Sequence, residues 1–211
     1  MIDQLFSDPA LFLVRLLALI YAITVHEFGH ALGAYLQGDE TAKRMGRLTL
    51  NPLAHLDFLG TVVIIFTGIF GWGKPTPYNP FNLRNKKYGS VIVGLAGPLM
   101  NLISVVVFGL ILTVIGDSIA YDNLLIQFLF TLFLINIVLL VFNLIPLLPL
   151  DGSKIVTTLI PVNSGFRQTY ERMGAYPLLF LLLIDFGLGV GLLSGLFQWV
   201  FRIAFRLFGW I

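Results

Sequence analysis

The sequence predicts an all-α integral membrane protein: a polytopic helical bundle of about four to six spans, with a short β or re-entrant element after the first span. Three observations carry this. The 211 residues are 57% hydrophobic and only 11% charged, against about a quarter charged in a typical soluble domain. The mean hydropathy is +0.91. The apolar residues fall in runs long enough to cross a hydrocarbon core of about 30 Å, separated by short polar connections. Residues 1–211 are expected to form one membrane-embedded domain. Its core covers about residues 9–160, and a C-terminal span and amphipathic tail cover 173–211. The chain contains no cysteine, so any metal must be held by histidine and carboxylate. No nucleic-acid partner is expected; the expected surroundings are the lipid bilayer.

The first helix is expected to begin at Ser7-Asp8-Pro9, polar capping residues followed by an early proline, and to end near Gly38. Asp3 and Asp8 precede this run, Arg15 lies inside it, and it continues to Leu36, so it reads as a retained span rather than a signal peptide. In the polar stretch that follows, G-R-L-T-L (Gly46–Leu50) is expected to form a short strand. The apolar run Phe58–Phe70 falls short of the roughly 20 residues of a span and reads as re-entrant or interfacial. The three prolines of G-W-G-K-P-T-P-Y-N-P (Gly71–Pro80) forbid a continuous helix.

A second span is expected over about Tyr88–Ile115, broken or bent near Gly94–Pro98, and a short acidic loop follows at Gly116–Asp122. A third span, about Asn123–Ile145, ends in N-L-I-P-L-L-P-L-D-G (Asn143–Gly152). A fourth is expected over about Gly174–Leu193, with Asp185 inside it. In the tail, Ser194–Ile211, Arg202 and Arg206 stand four apart on one helix face; an interfacial amphipathic helix is preferred over a short fifth span. Lys74, Trp199 and Trp210 read as interface anchors.

Lys43, Arg44, Arg47, Lys74, Arg84, Lys86 and Lys87 lie in the 38–90 connection, and Lys154, Arg167 and Arg172 in the 146–173 connection; the 116–122 loop has neither residue type. The positive-inside rule then places the two basic connections in the cytoplasm. The expected location is a prokaryotic plasma membrane, multi-pass, with His26, His30 and Asp151 at similar depth toward the cytoplasmic side.

The first span contains T-V-H-E-F-G-H-A-L-G (Thr24–Gly33). His26 and His30, four apart, share a helix face and can offer two imidazole nitrogens to one zinc ion. Glu27 projects beside them, able to serve water at the metal without ligating it. A charged residue at mid-bilayer costs about 2.5–3.5 kcal/mol even on lenient insertion scales. Three ionisable groups gathered there therefore call for a shared cation. A catalytic zinc takes three protein ligands and leaves a position open for water. His55, Asp57 and Asp185 are candidates for the third, but Asp151 is selected. It follows two prolines that open the helix and precedes a glycine, and unwound backbone at membrane depth is tolerated where it is buried in protein or lines a watery cavity. His55 reads as a loop histidine before a group behind the ligands or a transient ligand, and Asp57 as a ligand-orienting group or a cap for the next segment.

Together, H-E-F-G-H in the first span, A-G-P-L-M-N (Ala96–Asn101) in the second and N-L-I-P-L-L-P-L-D-G closing the third resemble the site-2 protease family of intramembrane zinc metalloproteases. N-P-L-A-H-L-D-F-L-G (Asn51–Gly60) and G-W-G-K-P-T-P resemble its compact prokaryotic branch, which carries neither PDZ nor CBS domains. The resemblance covers roughly residues 15–175. Phe58 departs from it, standing where that branch usually has proline. The resemblance implies one zinc ion per chain on His26, His30 and Asp151, Glu27 as catalytic base, and Asn143 contacting substrate near the metal.

The activity so implied is hydrolysis of peptide bonds within or near transmembrane segments of membrane-protein substrates, as in regulated intramembrane proteolysis. A helical substrate must unwind before attack, and Gly46–Leu50 or the re-entrant segment is expected to offer it a strand edge. The rival readings are a metal-binding transporter and a catalytically silent relative that acts as a binding partner. Inverted-repeat transporters show paired halves, and no internal repeat is evident in this chain.

Overall fold

A computed structural model describes residues 2–67, 71–116 and 120–211. A short helix α1 (Ile2–Ser7) leads into α2 (Pro9–Leu36), the first span. Asp8 caps α2, its side chain accepting from the Leu11 N–H at 3.0 Å, and Pro9 starts the helix where its missing N–H is harmless. At 28 residues, α2 is about 42 Å long. One turn, α3 (Thr41–Arg44), and an irregular polar loop lead to α4 (Phe58–Thr67). The remaining long spans are α5 (Gly89–Ile115) and α6 (Leu124–Leu144). Asn123 caps α6, its Oδ1 accepting from the Leu125 N–H at 2.8 Å. Pro146 ends it, because the residue before a proline is pushed out of the helical region, and Ile145 is extended. Among the described residues, α2, α5 and α6 are the three helices long and apolar enough to cross a membrane.

The three spans pack against one another. Gly29 and Gly33 of α2 face Ala96 of α5, where an added Cβ would come within 2.5 Å of the Ala96 carbonyl oxygen and 2.7 Å of its Cβ. Small residues four apart let two spans approach closely. At one end of the bundle the core is apolar: Ala18, Val105, Leu112, Ile126, Leu132 and Phe133 pack together. The other end holds the polar residues described below.

After α6 the chain folds through α7 (Ser153–Leu159) and α8 (Gly165–Met173) into α9 (Tyr176–Leu182), a π turn at Leu183–Gly187, and α10 (Leu192–Leu207). The helical stretch of the expected fourth span ends at Gly187, and the tail expected as a separate helix forms α10, bent from that stretch by 86°, with Gly189 and Gly191 at positive φ between them. Asp185, buried within the π turn, accepts a hydrogen bond from the Leu193 N–H at 3.0 Å and so satisfies a free donor at the start of α10. If the bent pair counts as one span, the described residues contain four. The exposed face of α10 carries Arg202 and Arg206. Phe201, Phe205 and Phe208 pack against the core around Phe133. Trp210 does more than anchor at an interface: its ring lies 5.0 Å from that of Phe133 and its indole N–H donates to Thr113 Oγ1 at 3.0 Å.

Two further expectations are modified. Gly46–Leu50 forms a turn and bends, and no strand occurs among the described residues. The polar groups of this stretch bond to other partners: the Arg47 guanidinium donates to the Lys74 carbonyl, and the Thr49 carbonyl lies 2.7 Å from His55 Nε2. Residues 71–79 form no helix and are tied to the loop by an antiparallel bridge, Leu56 to Gly73. The second span runs unbroken through Pro98, as spans can where neighbours re-satisfy the freed carbonyls. The re-entrant reading of 58–70 meets α4, at ten residues too short to cross. Residues 68–70 of that segment and 117–119 of the acidic loop lie outside the described residues.

Candidate active site and metal centre

His26 and His30 project from α2 and are 7% and 8% exposed. Their Nε2 atoms lie 3.1 Å apart, and each is 3.2 Å from Asp151 Oδ2. The structure thus brings together the three residues selected from the sequence. Asp151 arrives from the chain folded back under α6, where the Gly152 N–H donates to the Asn143 carbonyl at 2.7 Å.

The protonation of the two imidazoles follows from their other nitrogens. His30 Nδ1 is 2.8 Å from the Val93 carbonyl oxygen, which can only accept, so Nδ1 carries the proton. His26 Nδ1 is 2.6 Å from Asn101 Oδ1. The Asn101 amide is oriented by its donors, which reach the Ala22 carbonyl at 3.2 Å and Asn136 Oδ1 at 2.8 Å. Asn136 in turn donates to the Leu132 carbonyl at 2.8 Å. With both Nδ1 atoms protonated, two Nε2 lone pairs and Asp151 Oδ2 converge with no hydrogen among them, and Asp151 Oδ2 has no hydrogen-bond donor. A cation answers that arrangement. Bonds of about 2.0–2.1 Å in tetrahedral geometry put ligand atoms about 3.3 Å apart, close to the observed separations. The donor set, two imidazoles and a carboxylate, suits zinc.

Glu27 is half-buried, and its carboxylate lies within 4.8 Å of a ligand nitrogen of each histidine. Its Oε2 accepts from the Thr76 N–H at 2.9 Å and from the Thr76 hydroxyl at 2.8 Å. Arg47, buried in the loop behind, is pushed below its ordinary pKa by burial, with the Glu27 charge opposing that shift.

All four residues line a cleft of about 920 Å³ between α2 and α6. Its lining includes Arg15, Gln127, Ile23 and Ile135, with Trp72, Thr76 and Tyr78 from the loop and Asn143 and Lys154 beside Asp151. Asn143 lies on this wall, where its side-chain amide donates to the Leu139 carbonyl at 3.0 Å in its own helix. His55 is fully buried and bonded to Thr49 within the loop. Asp57 caps α4 through a 2.8 Å bond from the Gly60 N–H.

The reading of motifs passed over Asn101, Asn136 and Thr76. The two asparagines had a signal: each is a polar amide inside an apolar span, a kind of residue that is costly in lipid without a partner. Thr76 had none beyond its place between two prolines.

The pattern of peptidase family M50 matches residues 109–184. YwhC of Bacillus subtilis (strain 168) is 39% identical over 179 residues, covering 82% of this chain and 80% of that protein. Rip2 of Mycolicibacterium smegmatis is 33% identical over 151 residues, covering 69% of this chain and 57% of the relative. MJ0392 of Methanocaldococcus jannaschii is 23% identical over 186 residues, covering 88% and 46%. All three bear zinc metalloprotease names. No solved structure matches the chain. The identity and coverage shared with YwhC, together with the M50 match, show that this membrane chain belongs to peptidase family M50, the site-2 protease family, and is a zinc metalloendopeptidase.

Proposed function

We propose that the protein cleaves peptide bonds within or near the membrane-spanning segments of other proteins, with one zinc ion held by His26, His30 and Asp151. The observation that carries this reading is the convergence of those three ligand atoms within 3.2 Å beside the Glu27 carboxylate. The zinc, when bound, supplies Lewis acidity that polarises the scissile carbonyl and makes water nucleophilic near neutral pH. Glu27 takes the proton of the attacking water and returns it to the departing amide nitrogen, acting as base and then as acid. Asn101 and Val93 hold the two histidines in the tautomer that leaves Nε2 free to bind metal. Asn143 has a second amide hydrogen beyond the one given to Leu139, and it serves the substrate backbone or the oxyanion.

The substrate enters the cleft between α2 and α6, whose walls are mainly apolar side chains of two spans. A segment unwound there exposes backbone donors and acceptors. The segment that lines the cleft with Trp72, Gly73, Thr76 and Tyr78 takes the place first expected for Gly46–Leu50 as the edge the substrate pairs with. The basic connections support a cytoplasmic position for the site in a multi-pass plasma-membrane protein.

The test uses purified protein and a synthetic single-span peptide with a helix-weakening Asn-Gly pair near its inner end. Cleavage should be abolished by a zinc chelator and restored by zinc. Glu27→Gln should keep its zinc and lose turnover. Turnover by zinc-loaded Glu27→Gln would remove Glu27 from the chemistry. Metal uptake into vesicles without cleavage would favour transport.

A further inference from the structure

Most of the loop between the first two spans has no part in the chemistry above, yet its buried polar groups converge on one side chain. Lys74 is held through both peptide groups that flank its Cα: its N–H donates to the His55 carbonyl at 2.8 Å, and its carbonyl accepts from the Arg47 guanidinium. Arg47 is 5% exposed and His55 is fully buried. His55 is itself fixed by its bond to the Thr49 carbonyl and by its backbone N–H on the Pro52 carbonyl at 2.9 Å. The antiparallel bridge from Leu56 fastens Gly73 one residue earlier. The chain then continues Pro75-Thr76-Pro77. Each proline fixes its own φ and confines the residue before it to extended conformations. Neither has an N–H, so Thr76 supplies the only backbone donor of the triplet, and that donor points at Glu27 Oε2. The Thr76 hydroxyl reaches the same oxygen and also lies 3.0 Å from the Glu27 backbone carbonyl.

We propose that Thr76 is a positioning residue for Glu27, and that the loop around Arg47, His55 and Lys74 serves to present it. A glutamate side chain has three rotatable bonds and samples many positions when unheld. Two donors on one carboxylate oxygen pin Oε2 and leave Oε1 to face the attacking water. General acid–base catalysis depends on a heavy-atom approach of about 2.6–3.2 Å, so the clamp acts on turnover rather than on substrate affinity. The inference rests on the reading of Glu27 as the proton carrier.

The experiment compares wild type, Thr76→Val, Thr76→Ser and Glu27→Gln as full-length, zinc-loaded protein, with the single-span peptide above as substrate. Valine keeps the shape of threonine and the backbone donor but removes the hydroxyl; serine keeps both donors. Loss of one hydrogen bond to a charged group predicts a fall in kcat of about 10–100-fold for Thr76→Val. KM should stay within about twofold and the zinc content should be unchanged. Thr76→Ser should recover most of the loss. Independently of turnover, the carboxylate stretch of Glu27, isolated as the infrared difference between wild type and Glu27→Gln, should shift in Thr76→Val and return in Thr76→Ser. An unshifted band, an unchanged kcat, or a serine variant as slow as the valine variant would each overturn the proposal. Loss of zinc along with activity in Thr76→Val would overturn it too, by assigning Thr76 to the fold of the site. Turnover by Glu27→Gln would instead defeat the reading of Glu27 as base, while the infrared band still reports on the clamp.

Discussion

Gly97 is the point at which one methyl group tests the metal centre. It sits on α5 against the two histidines, and a Cβ built there would lie 2.5 Å from both Cε1 and Nε2 of His30 and 3.0 Å from Cε1 of His26. Ordinary contact begins near 3.4 Å, so in Gly97→Ala the His30 ring must retreat by about 0.9 Å. That ring is not free to do so, because its Nδ1 is tied to the Val93 carbonyl of the same helix. A zinc–nitrogen bond of about 2.0–2.1 Å does not survive such a displacement. The protein must either give up the ligand or strain the contact between α2 and α5, where overpacking costs about 1–3 kcal/mol. Because α2 and α5 are packed closely, with Gly29 and Gly33 against Ala96, loss of the ligand is the expected outcome. Gly97→Ala should bind zinc at least about 100-fold more weakly than wild type, on the scale of a lost ligand rather than a lost supporting contact. Its peptide cleavage should fall in proportion at limiting zinc. The assay is bound zinc by mass spectrometry after dialysis against graded chelator, with Gly195→Ala as control; Gly195 has nothing within 4 Å of an added Cβ. Gly97→Ala protein that keeps stoichiometric zinc and full turnover would refute the placement of His30 against α5.

Further outcomes follow from the same geometry. Asn136→Leu removes the acceptor that orients Asn101 behind His26, and it should weaken zinc binding about 10–100-fold; unchanged affinity in a competition titration would dismiss the amide chain. Asp39 lies in the loop after α2, where burial raises its pKa but bonds from Thr41, Asn79 and Asn82 outweigh that and hold it below its ordinary value of 3.8. Its stabilising effect is then complete above that value and is lost as pH falls through the lower folded one. The gap in thermal midpoint between wild type and Asp39→Asn should be widest near neutrality and close below about pH 4; a gap independent of pH would contradict this. Asp185→Ala removes the acceptor for the Leu193 N–H and should lower stability by about 0.5–2 kcal/mol with zinc content unchanged, as read by thermal denaturation and metal analysis. Loss of zinc in that variant would place Asp185 in the metal site after all.

The long spans were legible in the sequence because their signals are local. Asp8-Pro9 starts α2, Asn123 starts α6 and Pro146 ends it, each through backbone rules that need no knowledge of the rest of the fold. His26, Glu27 and His30 were legible for the same reason, since spacing along one helix is a property of the chain itself. The strand expected at Gly46–Leu50 was not a reliable local signal. Whether a short stretch pairs depends on what lies beside it, and there the partners are the Lys74 carbonyl and the His55 side chain rather than a second strand. The bend at residues 188–191 likewise depends on Asp185 reaching Leu193 and on the aromatic side chains of α10 docking against Phe133.

The sequence by itself determined the class of protein, its long spans and the donors available to a metal, since hydropathy and helical periodicity act over a few turns. Only the tertiary structure decided that Asp151 meets both histidines, that Asn101 and the Val93 carbonyl turn their Nε2 atoms toward it, and that Thr76 holds Glu27. Those contacts join residues 49 to 125 positions apart, and a hydrogen bond a few tenths of an ångström longer is lost. Such alignments arise when whole helices pack, and no local pattern of residue types encodes them.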